Sequence, residues 1–255
     1  MKLRYSLLIA VISYVLFTLS NVPANKILTL IKANVELPAQ IYGVEGSIWQ
    51  GSAQNIIINA QPPLNNFNWS INPLALLLAQ VSADIQTQIE QQKITGHTTY
   101  NIISGNLIAD NIHTEIDAKA LQKLLNLPFG KLDGKISADI KQLIVNGQNI
   151  QQLDGVLRWN KAKFTLAETV KLGNIQIILT SDETQNIIAT LSNKGGQLKL
   201  EGDVTLQANK NYQLDMKFTP AKNASNNIKQ SLSLFAKRQN NGSYRLKQTG
   251  NLRNL

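Results

Sequence analysis

The sequence predicts a mainly β protein: an N-terminal transmembrane helix followed by a curved antiparallel β-sheet domain with a few short helices. Three observations carry that reading. An apolar run is confined to the first two dozen residues, apolar and polar residues alternate with period two from Ile41 onward, and Gly, Asn, Asp and Pro break up the alternating runs.

Residues 1–24 read MKLRYSLLIAVISYVLFTLSNVPA, with cations at Lys2 and Arg4 and then an apolar stretch from Tyr5 to Leu19. As a helix those residues cover roughly 22 Å, against a hydrocarbon core of roughly 30 Å. Adding Leu3, Ser20 and Val22, and letting Lys2 and Arg4 snorkel, brings the segment close to spanning length. Tyr5, Leu8, Val11, Tyr14, Leu16 and Leu19 are then the anchor residues. A cleaved signal peptide competes, because Val22 and Ala24 stand where a small-residue cleavage site needs them. The length of the apolar stretch and the bulk of Tyr5 and Tyr14 favour a retained anchor. Lys2, Arg4 and the α-amino group hold the N-terminus in the cytoplasm, which places everything after Pro23 outside it. The expected organisation is a cytoplasmic N-terminus and single membrane anchor over 1–24, then a periplasmic β-rich domain over 25–255.

The clearest strands in the exported part are Gln54 to Ala60, Val81 to Gln88, Lys135 to Val145, Asn174 to Thr180, Gln197 to Gln207 and Tyr212 to Phe218. In QLKLEGDVTLQ, Leu198, Leu200, Val204 and Leu206 share a face, and Gly202 offers a bend or bulge. Three interruptions read as short helices: Pro73 to Ala79, Ala118 to Leu125 and Ile228 to Ala236. Glycine turns recur before strands at Gly134, Asp154 and Glu201, the pattern of a repetitive antiparallel meander.

The net charge of +9 is unevenly placed. From Lys217 onward come eight basic residues and no acidic one, whereas Asn25 to Met216 holds fifteen basic residues and all sixteen acidic ones. No helix-turn-helix pattern or basic–aromatic interleaving accompanies the charge, so nucleic acid is not an expected partner. Lys229, Lys237, Arg238, Arg245 and Lys247 are the candidate contacts to an acidic partner or to anionic lipid head groups. With no cysteine, the chain has no disulfide, thiolate nucleophile or Cys-ligated zinc.

Chemistry finds few candidates. His97 (ITGHTTY) and His113 (DNIHTEID) sit in polar alternation and read as solvent-facing strand residues. Alternate positions put His113, Glu115 and Asp117 in a row on one strand face, with Asp110 nearby, without the helical His pair of a hydrolytic zinc site. Asp182 and Glu183 are adjacent carboxylates in a turn. No Walker loop, G-x-S-x-G elbow or dinucleotide fingerprint occurs, and Lys194-Gly195-Gly196 reads as a hairpin turn. No catalytic residue, metal or cofactor is expected, and the protein is not expected to be an enzyme.

One constellation is more specific. Gly46, Trp49 and Gly51 form a G-x-x-W-x-G motif in which the glycines permit tight turns around a strand carrying the indole. Trp69 opens the next strand, and Pro73, Ala75, Leu76 and Leu77 begin a leucine-rich helix with proline in its first turn. Together with Pro23 and Ala24, this order resembles the type II secretion system protein N family. The similarity continues through LDGVLRW ending at Trp159, KGGQLKLEGDVTL containing Gly202, YQLDMKFTP and the closing QTGNL. The amide- and lysine-rich surface departs from that pattern.

The resemblance implies an accessory inner-membrane component of the machine that exports folded proteins from the periplasm of Gram-negative bacteria. It implies other secretion subunits as partners, met through strand addition at a sheet edge or through Leu76 to Leu78. The chain also looks similar to AsmA-like membrane-tethered β proteins. Binding or bridging lipid in an apolar groove is therefore the alternative function.

Overall fold

The computed structural model describes residues 22–58, 63–89, 92–124, 130–165, 168–222 and 224–251. The predicted anchor, Tyr5 to Leu19, lies outside the described residues. Among the described residues, no helix is long and apolar enough to cross a membrane. The chain divides into two compact units, Met1–Ile103 and Ser104–Leu255.

The first unit begins with helix α1 (Ala24–Asn34), unforeseen by the strand-dominated pattern. Ala24 is buried, Ile27 and Leu28 are half-buried, and Lys32 donates to the Ile41 carbonyl from the last turn. Strands β1 (Ala39–Tyr42), β2 (Glu45–Gly46), β3 (Gln50–Ile58), β4 (Leu64–Asn72), β5 (Gln80–Ile89) and β6 (Gln92–Asn101) follow. Their antiparallel order is β1-β3-β4-β5-β6, with β2 also paired to β3. The helix predicted at Pro73 is a 3-10 helix, Pro73–Leu78, inserted between β4 and β5. Asn72 caps it by accepting from the Leu74 N–H at 3.0 Å, and Ala79 closes it in the left-handed region at φ 54°. Ala75 turns inward while the leucines turn out.

The second unit contains β7 (Asn106–Asp117), β8 (Lys131–Asn146), β9 (Asn149–Thr165), β10 (Thr169–Ser181), β11 (Ile187–Lys194), β12 (Leu198–Leu206), β13 (Asn211–Pro220), β14 (Lys237–Arg238) and β15 (Tyr244–Asn251). These run as an antiparallel meander from β7 to β13, and β15 then pairs with β13 and carries β14 on its outer side. Helix α2 (Ala118–Leu124) and helix α3 (Asn226–Phe235) fall where they were predicted. In α3, the i, i+4 pair Ile228 and Leu232 is buried on Leu172, Ile175, Leu198 and Leu200. Each such side chain contributes about 2 kcal/mol by burial. Ser225 caps α3 through the Ile228 N–H and donates its own hydroxyl to Glu168.

Gly202 does not bend its strand. β12 keeps unbroken register through Glu201, Gly202 and Asp203 against both neighbours. A Cβ at Gly202 would lie 2.6 Å from the Met216 sulfur, so the glycine makes room for the cross-strand side chain. Register shifts occur instead around Gly134 and Gly173, whose φ values of +113° and +78° only glycine adopts readily, and twice more along β8, at Ile140/Gln142 and Ile144/Val145.

Cross-strand registers place Ile112, Ile140, Leu179, Ala189, Val204 and Leu214 in one row on a single face of the second unit. All six are half-buried. The α3 cluster covers other rows of that unit, and this stripe stays accessible.

Candidate functional site

Gly46, at φ +84°, turns the chain between β2 and β3, and a Cβ there would meet the Gln50 carbonyl at 2.6 Å. Trp49 lies in the turn itself and not in a strand. Trp69 lies well inside β4 and does not open it, because pairing with β3 extends the strand back to Leu64. Gly51 and Trp69 are register partners, and a Cβ at Gly51 would be 2.4 Å from the indole Cζ2. The indole therefore lies flat against Gly51. Its N–H donates to the Ile48 carbonyl at 3.0 Å, and Ile71 N–H donates to the Trp49 carbonyl at 2.6 Å.

This turn holds a second piece of chain. Ile48 N–H donates to the Val22 carbonyl at 3.0 Å, and Pro23 bridges Ser47. The tryptophan–glycine motif thus fastens the residues that follow the apolar N-terminal stretch. No residue-type signal announces such backbone contacts, and the sequence reading missed them.

Of the remaining predicted positions, Trp159, Arg245 and Lys247 serve packing and pairing. Trp159 packs against the α3 cluster and donates its indole N–H to the Asp133 carbonyl at 3.0 Å. Arg245 grips Asp215 with two bonds of 2.7 and 2.6 Å, and Lys247 reaches the same carboxylate at 3.2 Å. Lys237 stands in register with Arg245. Lys229 and Arg238 are exposed. Part of the basic C-terminal excess is therefore neutralised across strands by an acidic residue just ahead of it in sequence.

The Arg245 guanidinium holds the Asp215 carboxyl at about 2. Asp182 is also held at about 2, by the Thr184 hydroxyl first and then by the Asn186 and Thr184 N–H groups, so it is a turn staple and not half of an acid/base pair. Both folded-state values lie below the ordinary carboxylate range. Their stabilisation is complete above about pH 4 and is lost as pH falls toward 2. Acid titration of the folded fraction is expected to show this loss, and Asp215→Asn to flatten it.

One constellation escaped the sequence reading. His97 Nδ1 lies 2.8 Å from Asp84 Oδ1, and its Nε2 lies 2.9 Å from Ser82 Oγ. The connectivity is that of a nucleophile relay. The setting is not: β5 is laddered on both sides, so the N–H groups around Ser82 are committed to β4 and β6 and supply no oxyanion hole. Ser82 is also nearly buried and takes a bond from Thr99. His113 is bound to Asp139 at 2.6 Å, and among the described residues no group of three His, Asp or Glu could hold a metal ion.

The family model for protein N of the type II secretion system matches residues 38–247. The chain belongs to the type II secretion system protein N family. A type II secretion system protein N of Vibrio cholerae serotype O1 is 27% identical over 220 residues, covering 84% of this chain and 85% of that protein. Another from Aeromonas hydrophila is 22% identical over 250 residues, covering 94% and 95%. No solved structure matches the chain. The family match spans strands of both units and includes the whole tryptophan–glycine motif.

Proposed function

We propose that this chain is an accessory inner-membrane subunit of the type II secretion system, acting through protein contacts and not through chemistry. The family match over residues 38–247 carries this reading. The apolar stretch Tyr5 to Leu19 supplies a single span with its N-terminus in the cytoplasm, and the β-rich remainder works in the periplasm. One feature suits a docking role. β14 covers only Tyr244 and Arg245, so among the described residues no strand lies on the outer edge of β15 from Leu246 to Gly250. That edge can accept a strand from another subunit.

A second reading is favoured by one observation, the half-buried apolar row from Ile112 to Leu214. Such a row suits the acyl chain of a lipid, as in an AsmA-like protein.

Deleting the chain is expected to lower the amount of type II substrates in the medium and the recovery of neighbouring secretion subunits, with both restored by the full-length chain. Unchanged secretion and unchanged subunits would overturn the first reading and leave the lipid-binding one.

A further inference from the structure

The 3-10 helix and the turn after β6 form an apolar tip on the first unit. Leu77 and Ile103 are each 83% exposed, Leu78 is 70% exposed, and Leu74, Leu76 and Ile102 are also open to solvent. The two turns are tied together, since Ile102 N–H donates to the Ala79 carbonyl at 2.9 Å, and the second turn is itself braced by the Asn101 side chain, which accepts from Ile103 N–H at 3.0 Å. Six large aliphatic side chains held outward by hydrogen-bonded turns are more than scattered surface leucines.

The place of this tip says what covers it. β4 ends at the 3-10 helix, β5 starts from it, and β6 returns to it. The Trp49 turn belongs to the same end, because it is bonded to Ile71, two residues before Pro73 and so about 7 Å along the strand. Val22 is fastened to that turn through Ile48. Leu19, the last residue of the apolar stretch, precedes Val22 by three positions, at most about 10 Å of extended chain. If that stretch is in lipid, the bilayer surface is within reach of the leucines.

The chemistry of the tip agrees. Residues 46–83 and 98–103 contain no Asp, Glu, Lys or Arg, so entry of the aliphatic tip itself into an interface desolvates no charge. Trp49 and the exposed Tyr100 stand just behind the aliphatic apex, the position aromatic side chains take at a membrane–water boundary.

We propose that Leu74, Leu76, Leu77, Leu78, Ile102 and Ile103 form a second, shallow membrane contact that seats the first unit on the lipid surface beside its own anchor. The occupant is the phospholipid interface of the anchoring membrane. This rests on the anchor reading above and adds to it an orientation: the tip faces lipid, and the paired strand ends at Ile89 and Gln92 face away.

The chain has no cysteine, so single substitutions Leu77→Cys, Ile103→Cys and Lys93→Cys each give one labelling site. The first two probe the tip, and the third probes the exposed far end of β6. The labelled full-length chain is reconstituted into phosphatidylethanolamine–phosphatidylglycerol vesicles, with and without a phospholipid carrying a nitroxide quencher near its head group. Insertion to interfacial depth is expected to cost the probes at 77 and 103 roughly half of their emission, with the probe at 93 unaffected. Equal, negligible quenching at all three sites in chains that float with the vesicles would overturn the tip contact and spare the anchor. A probe at 77 that is shielded from aqueous iodide yet unquenched by lipid would assign the tip to another copy of the chain, and overturn the proposal as well. Chains that do not float would remove the anchor reading, and this proposal with it.

Discussion

Trp69→Ala is expected to destabilise the first unit by about 3 kcal/mol, within the range for deleting a large packed aromatic. The substitution removes the indole from Gly51 and the donor from the Ile48 carbonyl. Ile48 also holds Val22, so the loss should propagate to the chain entry. Urea unfolding should show a lower midpoint, and limited proteolysis should show new cleavage near residues 22–24. Trp69→Phe keeps most of the area and loses the N–H, so a cost of about 1 kcal/mol is expected. Gly51→Val should be as damaging as the alanine, because its Cβ would meet both the indole and the Glu45 carbonyl, at 2.4 and 2.6 Å. An unchanged midpoint for Trp69→Ala would mean that the motif is not the fastening described.

Asn193→Ala is expected to cost a similar amount in the second unit, about 3 kcal/mol. The β11–β12 ladder ends at Ser192 and Glu201, and the buried Asn193 side chain continues it. Its amide donates to the Leu172 and Leu198 carbonyls, and its oxygen accepts from Leu200 N–H at 2.7 Å. Alanine leaves all three backbone groups buried without that partner. Asn193→Asp keeps the shape and the acceptor but turns a carboxylate toward two carbonyl oxygens, and it should lower the urea midpoint further. A midpoint for Asn193→Asp equal to that of the wild type would refute the bonding assigned to this amide.

The strands most legible in the sequence were those with clean alternation. KISADIKQLIV lies within β8, NIQIILT within β10, and the runs at Gln197 and Tyr212 match β12 and β13. The helices at Ala118 and Ile228 were legible because apolar residues fell at helical spacing. β11 was harder: IIATLSNK breaks the period with adjacent isoleucines and is held by ladders on both sides. Helix α1 carries no side-chain N-cap and follows directly on an apolar stretch, so its start had no local mark. At the site, Gly46, Trp49, Gly51 and Trp69 stood out by residue type. The Val22 contact did not, since main-chain bonds leave no trace in composition. Asn193 was hidden because a buried amide reads the same as any other in an amide-rich chain. The Ser82–His97–Asp84 chain was hidden because it depends on the register between two strands.

The meander of the second unit has a bearing on biogenesis. From β7 to β13 each strand pairs with the one made just before it, so hairpin can be added to hairpin in the order of synthesis. A polypeptide threaded across a membrane as an extended chain could lay down this sheet vectorially, without waiting for a distant partner. Only the last step departs from that order, when β15 must reach past α3 and β14 to find β13. The β15 edge is therefore the last part of the sheet to be completed, and an unfinished chain would not present it.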